Sequence, residues 1–104
     1  MTKREETIAA NETLRVRLIE LQAGEATAWH RHSEVTDTMF GISGTVVVDL
    51  REPQQAYRLL PGMRCTVEPG RVHRVANGQQ GQPAEYLLVQ GVGRYDFVTC
   101  EVNG

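Results

Sequence analysis

Apolar residues in this chain recur at every second position along short runs, and that period restricts its fold more than any other feature. In ETLRVRLIELQ, residues 12–22, Leu14, Val16 and Leu18 share one face while Arg15 and Arg17 take the other. This is the alternation of a half-buried strand and a poor fit to a helix. Further short runs follow at TAWHRH, TDTMFGI, TVVVDL, AYRLL, RCTVE, VHRVA, EYLLVQ and YDFVTCEV. Each is rich in β-branched or aromatic residues, and most are bounded by Gly, Pro or Asn, which supply turns. Nowhere do apolar residues keep a 3.6 spacing for three turns between capping signals. The pattern predicts an all-β chain of about nine or ten strands. Such a chain closes into a sandwich or barrel that covers its edges and can keep a cavity inside.

With 104 residues the chain has room for one core, so a single domain over 1–104 is expected, residues 1–11 forming a partly flexible N-terminal segment. Eleven basic residues stand against thirteen acidic ones, and no basic block is longer than Lys3-Arg4. That balance offers no footprint for phosphate contacts, so nucleic acid is excluded as a partner. The start, MTKREETIAANETL, never reaches the apolar run of a signal peptide, and no later segment approaches a membrane span. A cytoplasmic protein without a membrane partner is expected. Cys65 and Cys100 lie in apolar-rich segments, outside any CxxC and away from His, and read as small buried hydrophobes. The patch NGQQGQP, residues 77–83, reads as an exposed loop.

The stretch WHRHSEVTD, residues 29–37, carries the chemistry. On a strand, residues i and i+2 face the same way, so the side chains of His30 and His32 leave the backbone in parallel, roughly 6.6 Å apart. Imidazoles can lean together across that gap, and ring nitrogens need to come within only about 2.0–2.1 Å of a divalent ion. Both rings must be neutral to ligate. Taken alone, HxH is a weak signal, since a solvent-facing polar strand can carry it too.

The third histidine, His73, lies in GMRCTVEPGRVHRVAN, residues 62–77, after the turn at Glu68-Pro69-Gly70. At this point the chain resembles the cupin superfamily, whose first motif reads G-x5-H-x-H-x(3,4)-E-x6-G and whose second reads G-x5-P-x-G-x2-H-x3-N. Gly24, His30, His32, Asp37 and Gly44 match the first motif, over 24–44, at every spacing, with Asp in the Glu position. Gly62, Gly70, His73 and Asn77 match the second, over 62–77, with Glu68 where the family has Pro. The resemblance implies a double-stranded β-helix of jelly-roll type. It also implies one divalent transition ion held by His30, His32, Asp37 and His73, with iron, manganese, nickel and zinc all compatible. His73 joins this set only through the resemblance. Asp37 is one methylene shorter than Glu, so it binds the ion after a small backbone shift, binds it through water, or acts from behind the ligands. Glu34 is a rival carboxylate that reads as a solvated turn residue, and Glu68 reads as exposed and structural.

Around the site, alternation sends Trp29 and Arg31 away from the histidines. Trp29 then needs cover, either at a homodimer interface of the kind cupins commonly form or under the N-terminal strand. Met39 shares parity with Asp37 and reads as a core methionine or as part of the cavity wall. Tyr86, Leu88 and Gln90 share one face, and Tyr95, Phe97 and Thr99 another, with the inward side undetermined. Arg31 and Arg74 adjoin a His and should point outward, while Arg71 could meet an anion if it turned inward. Two functions follow from the resemblance. One is a metal-dependent enzyme, dioxygenase-like or isomerase-like, acting on a small-molecule substrate. The alternative is a module that binds or senses a small molecule without turnover.

Overall fold

The computed structural model describes residues 4–100. Ten strands and no helix occur among them: β1 (Arg4–Ala10), β2 (Leu14–Leu21), β3 (His30–Arg31), β4 (Thr36–Ser43), β5 (Val46–Leu50), β6 (Gln55–Leu59), β7 (Arg64–Val67), β8 (His73–Asn77), β9 (Ala84–Gly91) and β10 (Val98–Thr99). They form two antiparallel five-stranded sheets, ordered β1-β2-β9-β4-β7 and β10-β3-β8-β5-β6. Both contribute to one apolar core, with Ile19, Leu21, Met39, Val67, Ala84 and Tyr86 from the first sheet and Val46, Val48, Leu59 and Val75 from the second. The all-β, two-sheet jelly roll expected from the alternation and the motifs is what forms. No helix among the described residues is long and apolar enough to cross a membrane.

Strand parity places the site. Read along their inward rows, β2 presents Leu21, Ile19 and Arg17, β4 presents Met39 and Asp37, β8 presents Val75 and His73, and β9 presents Ala84, Tyr86, Leu88 and Gln90. Each row is apolar at one end of the barrel and polar at the other. The register aligns these ends, pairing Asp37 with Gln90 across β4 and β9 and His30 with His73 across β3 and β8.

In β2 the alternation holds, but the inward face is the one that carries Arg17. Ile19 and Leu21 are 1% and 0% exposed, and because side-chain direction has a strict period of two, burying them carries Arg17 inward as well. Leu14, Val16 and Leu18 form the half-buried outer face. Residues 4–10 of the N-terminal segment pair with β2 as β1, with exposed side chains.

Two expected strands are much shorter than their patterns. TAWHRH keeps only His30–Arg31. From YDFVTCEV only Val98–Thr99 is paired, its last two residues lying outside the described ones. The backbone of residues 95–97 meets the site instead, because the Asp96 carbonyl accepts a bond from His32 and its carboxylate accepts the Ser33 N–H. Trp29 is half-buried, but not under the N-terminal strand, which sits at the edge of the opposite sheet. Its ring is covered by the guanidinium groups of Arg51 and Arg74, at 4.4 and 4.7 Å.

Candidate metal centre

The motif glycines bring the ligands together through turns that other residues adopt only under strain. Gly70 has φ +83°, a left-handed conformation cheap only without a Cβ. Its N–H then donates to the His32 carbonyl at 2.8 Å, tying the turn before β8 to the segment that carries the HxH pair. Asn77 works at the far end of β8, where its side-chain amide donates to the carbonyls of Leu21 and Gln82 and its oxygen accepts the Gln79 N–H. That residue of the second motif is a stitch between strands and loop.

His30, His32, Asp37 and His73 are 5%, 3%, 1% and 1% exposed. One donor atom from each lies within 4.8 Å of all the others. Ring centroids are separated by 4.3 Å for His30 and His73, 4.9 Å for His30 and His32, and 5.5 Å for His32 and His73. The three rings thus converge, as two of them were expected to from spacing and the third from resemblance.

Each imidazole is oriented from behind. Nδ1 of His30 donates to the Ala28 carbonyl at 2.7 Å, that of His32 to Asp96 at 2.6 Å, and that of His73 to Arg71 at 2.8 Å. A carbonyl can only accept, so each Nδ1 carries its proton, and in the neutral ring the Nε2 lone pair is left for the cavity. Nε2 of His32 and His73 approach the same carboxylate oxygen, Asp37 Oδ2, at 3.0 and 2.9 Å. Nitrogens and an oxygen that all present lone pairs are held this close by protons on the rings or by a cation among them. A divalent ion fits this donor set, which consists of oriented neutral nitrogens plus one carboxylate, with the bond behind each histidine already made.

The electrostatics are those of a buried anion among imidazoles. Burial pushes His30 down to about 4. Burial acts on His32 in the same direction but is outweighed by the hydrogen bond to Asp37 and its charge, so this ring sits above its ordinary value. For Asp37, burial would favour the neutral acid, yet the bonds from His32 and His73 hold the carboxyl far below the usual range.

The surrounding cavity wall includes Arg17, Ile19, Thr27, Val75, Tyr86, Leu88, Tyr95 and Phe97. Tyr86, Leu88 and Gln90 are inward, which settles their parity. Met39 faces inward but packs in the apolar core, one step below Asp37. Glu34 is exposed and accepts the Arg94 N–H at 3.3 Å, and Glu68 is exposed too. Arg74 pairs outward with Asp49, and Arg71 clasps the carbonyls of Arg51 and Pro53. The cysteines are free and half-buried, with Cys65 packed against the core.

Sequence reasoning missed three contributors. Phe97 stacks on His30 with centroids 4.3 Å apart and planes 16° apart, although no strand pattern placed it there. The Asp96 carbonyl orients His32, a role that no side-chain motif can signal. The alternation puts Arg17 only on the face opposite Leu14, Val16 and Leu18, and the signal that turns that face inward is the Ile19 and Leu21 parity further along the same strand.

A family model described as Cupin domain matches residues 17–90. No curated protein matches the chain. Among solved structures, an uncharacterized conserved protein with a double-stranded beta-helix domain from Klebsiella pneumoniae aligns with a TM-score of 0.82 at 22% identity, over 96% of this chain and 85% of that one. The polyketide cyclase RemF from Streptomyces resistomycificus aligns with a TM-score of 0.81 at 16% identity, over 97% and 72%. KdgF from Halomonas sp. aligns with a TM-score of 0.75 at 15% identity, over 88% and 80%. At such identities these structures support the fold alone. The family model spans well over half of the chain, from Arg17 of β2 to Gln90 of β9, and takes in both motifs; the chain belongs to the cupin domain family.

Proposed function

We propose that this protein is a metal-dependent enzyme in which His30, His32, Asp37 and His73 hold one divalent transition ion (iron, manganese, nickel or zinc) beside a small-molecule pocket. The observation that carries the reading is the anchoring of all three Nδ1 atoms to main-chain carbonyls, with Nε2 of His32 and His73 meeting one carboxylate oxygen and His30 completing a group whose donor atoms lie within 4.8 Å of one another. Bound there, the ion would supply Lewis-acid polarisation of a carbonyl or enol oxygen, chemistry suited to a dioxygenase-like or isomerase-like reaction. The chain's own residues supply the rest. Gln90 orients Asp37 by donating to Oδ1 at 2.9 Å, Leu88 and Tyr86 close the floor, and Phe97 and Tyr95 stand beside the rings and limit water.

Metal analysis of purified protein should find close to one transition ion per chain, with His30→Ala and His73→Ala each removing it. Metal-free wild-type protein from supplemented medium would reject the site. A second reading, a binding module without turnover, is favoured by one observation. Among the described residues, the histidines and carboxylate lining the cavity all belong to the ligand group, and burial pushes the Tyr86 phenol above its ordinary value. Product formation from a small-molecule panel supports the enzyme, whereas stoichiometric binding without product supports the module.

A homodimer, the arrangement implied by the resemblance, is supported by exposed apolar side chains at Ile42, Leu60 and Met63. The turn hydrogen bonds between Gly41, Leu60, Gly62 and Met63 bring them close together. Light scattering giving a mass of one chain would reject it.

A further inference from the structure

The cavity holds a cation that the ligand group does not need. Arg17 reaches into it from β2 with its side chain 9% exposed. Its Nη2 donates to Gln90 Oε1 at 2.6 Å and its Nη1 to Glu5 Oε1 at 3.0 Å, while Nε is buried without a partner. Burying a guanidinium is costly unless its charge and donors are matched. Asp37 does not match it directly: Oδ2 faces His32 and His73, and Oδ1 takes the Gln90 amide. Glu5 meets Arg17 from β1, with its side chain 41% exposed. With a divalent ion, one carboxylate from Asp37 and three neutral imidazoles, the centre is net positive before Arg17 is counted. The cavity, narrow and partly open to solvent beside Arg17, Tyr95, Phe97 and the histidines, therefore favours a negatively charged occupant.

We infer that Arg17 is a binding residue for the carboxylate of a small organic acid, received by the guanidinium while a neighbouring oxygen of the same molecule faces the His30, His32, Asp37 and His73 group. A planar guanidinium matches a carboxylate in two parallel hydrogen bonds, a geometry that an ammonium cannot supply. The Gln90 amide keeps the fork oriented. The inference names the substrate class of the proposed metal site and rests on that reading.

The test is calorimetric titration of metal-loaded protein with two- to six-carbon 2-oxo and 2-hydroxy acids, each paired with its primary amide. Wild type should bind at least one acid tenfold or more tighter than its amide. Arg17→Gln should abolish that difference with metal content unchanged, and Arg17→Lys, kept in case the first variant does not fold, should recover only part of it. An acid preference that survives intact in Arg17→Gln or Arg17→Lys overturns the assignment, as does failure of every acid to bind. Metal content measured on the same samples separates the two readings: if wild type holds no ion, the metal site fails by itself. The acid-against-amide comparison between wild type and variants still decides Arg17.

Discussion

Gln90 of β9 lies directly across from Asp37 of β4 and donates its amide to Oδ1 at 2.9 Å, while its own oxygen accepts from Arg17. This one side chain joins the carboxylate of the metal group to the guanidinium at the other side of the cavity. Its removal leaves two buried charged groups short of a partner. Gln90→Leu should therefore destabilise the fold by about 1–3 kcal/mol and weaken metal binding about 10–100-fold. Urea unfolding and competition with a chelator measure the two effects, and a variant with wild-type metal affinity would reduce Gln90 to a packing residue.

Asp37 can be placed by two substitutions. If its carboxylate touches the ion, Asp37→Ala should loosen the metal, while Asp37→Glu, which restores the family's longer side chain, should keep or tighten it. Equal metal content in the two variants would put Asp37 behind the ligands.

Met39 sits one inward step from Asp37 but belongs to the apolar core. Met39→Ala should cost about 2–5 kcal/mol in unfolding free energy, and Met39→Leu less than about 1.5 kcal/mol. Neither should change the metal content per folded chain. A folded Met39→Leu protein that loses its ion would place the thioether in the site.

Metal-free protein should show split histidine titrations. His30, pushed down to about 4 by burial, binds its proton later than in the unfolded chain. Its contribution to stability therefore falls as pH drops from about 6.5 toward 4 and changes no further below that. His32 has the opposite sign, because its raised pKa contributes stability that is complete below the ordinary value and lost as pH rises through the folded one. Nitrogen-15 NMR of the rings reads both, and a His30 midpoint near 6.5 would contradict the burial argument.

Phe97 covers His30 from a loop and is itself 45% exposed. Phe97→Ala should cost only about 0.5–1.5 kcal/mol yet speed extraction of the ion by a chelator, since the stacked ring closes the solvent side of His30. Unchanged extraction would show that the ring does not guard the site.

The local pattern of this chain determined where most strands and turns fall and that the two histidines of HxH face the same side, although only His30 lies in a strand. These are short-range consequences of side-chain alternation and of residues that tolerate or impose turns. The motif spacings carried the jelly roll and the four-residue group, because fixed distances along the chain become fixed positions once strands pair in register. Tertiary structure alone decided which face of each strand looks inward. Arg17 lies in the cavity because Ile19 and Leu21 must be buried, and no isolated reading of LRVR could weigh that. Only the closed fold brings the Asp96 carbonyl and the Phe97 ring to histidines more than sixty residues away, since those contacts depend on the path of the backbone and not on any pattern of side chains.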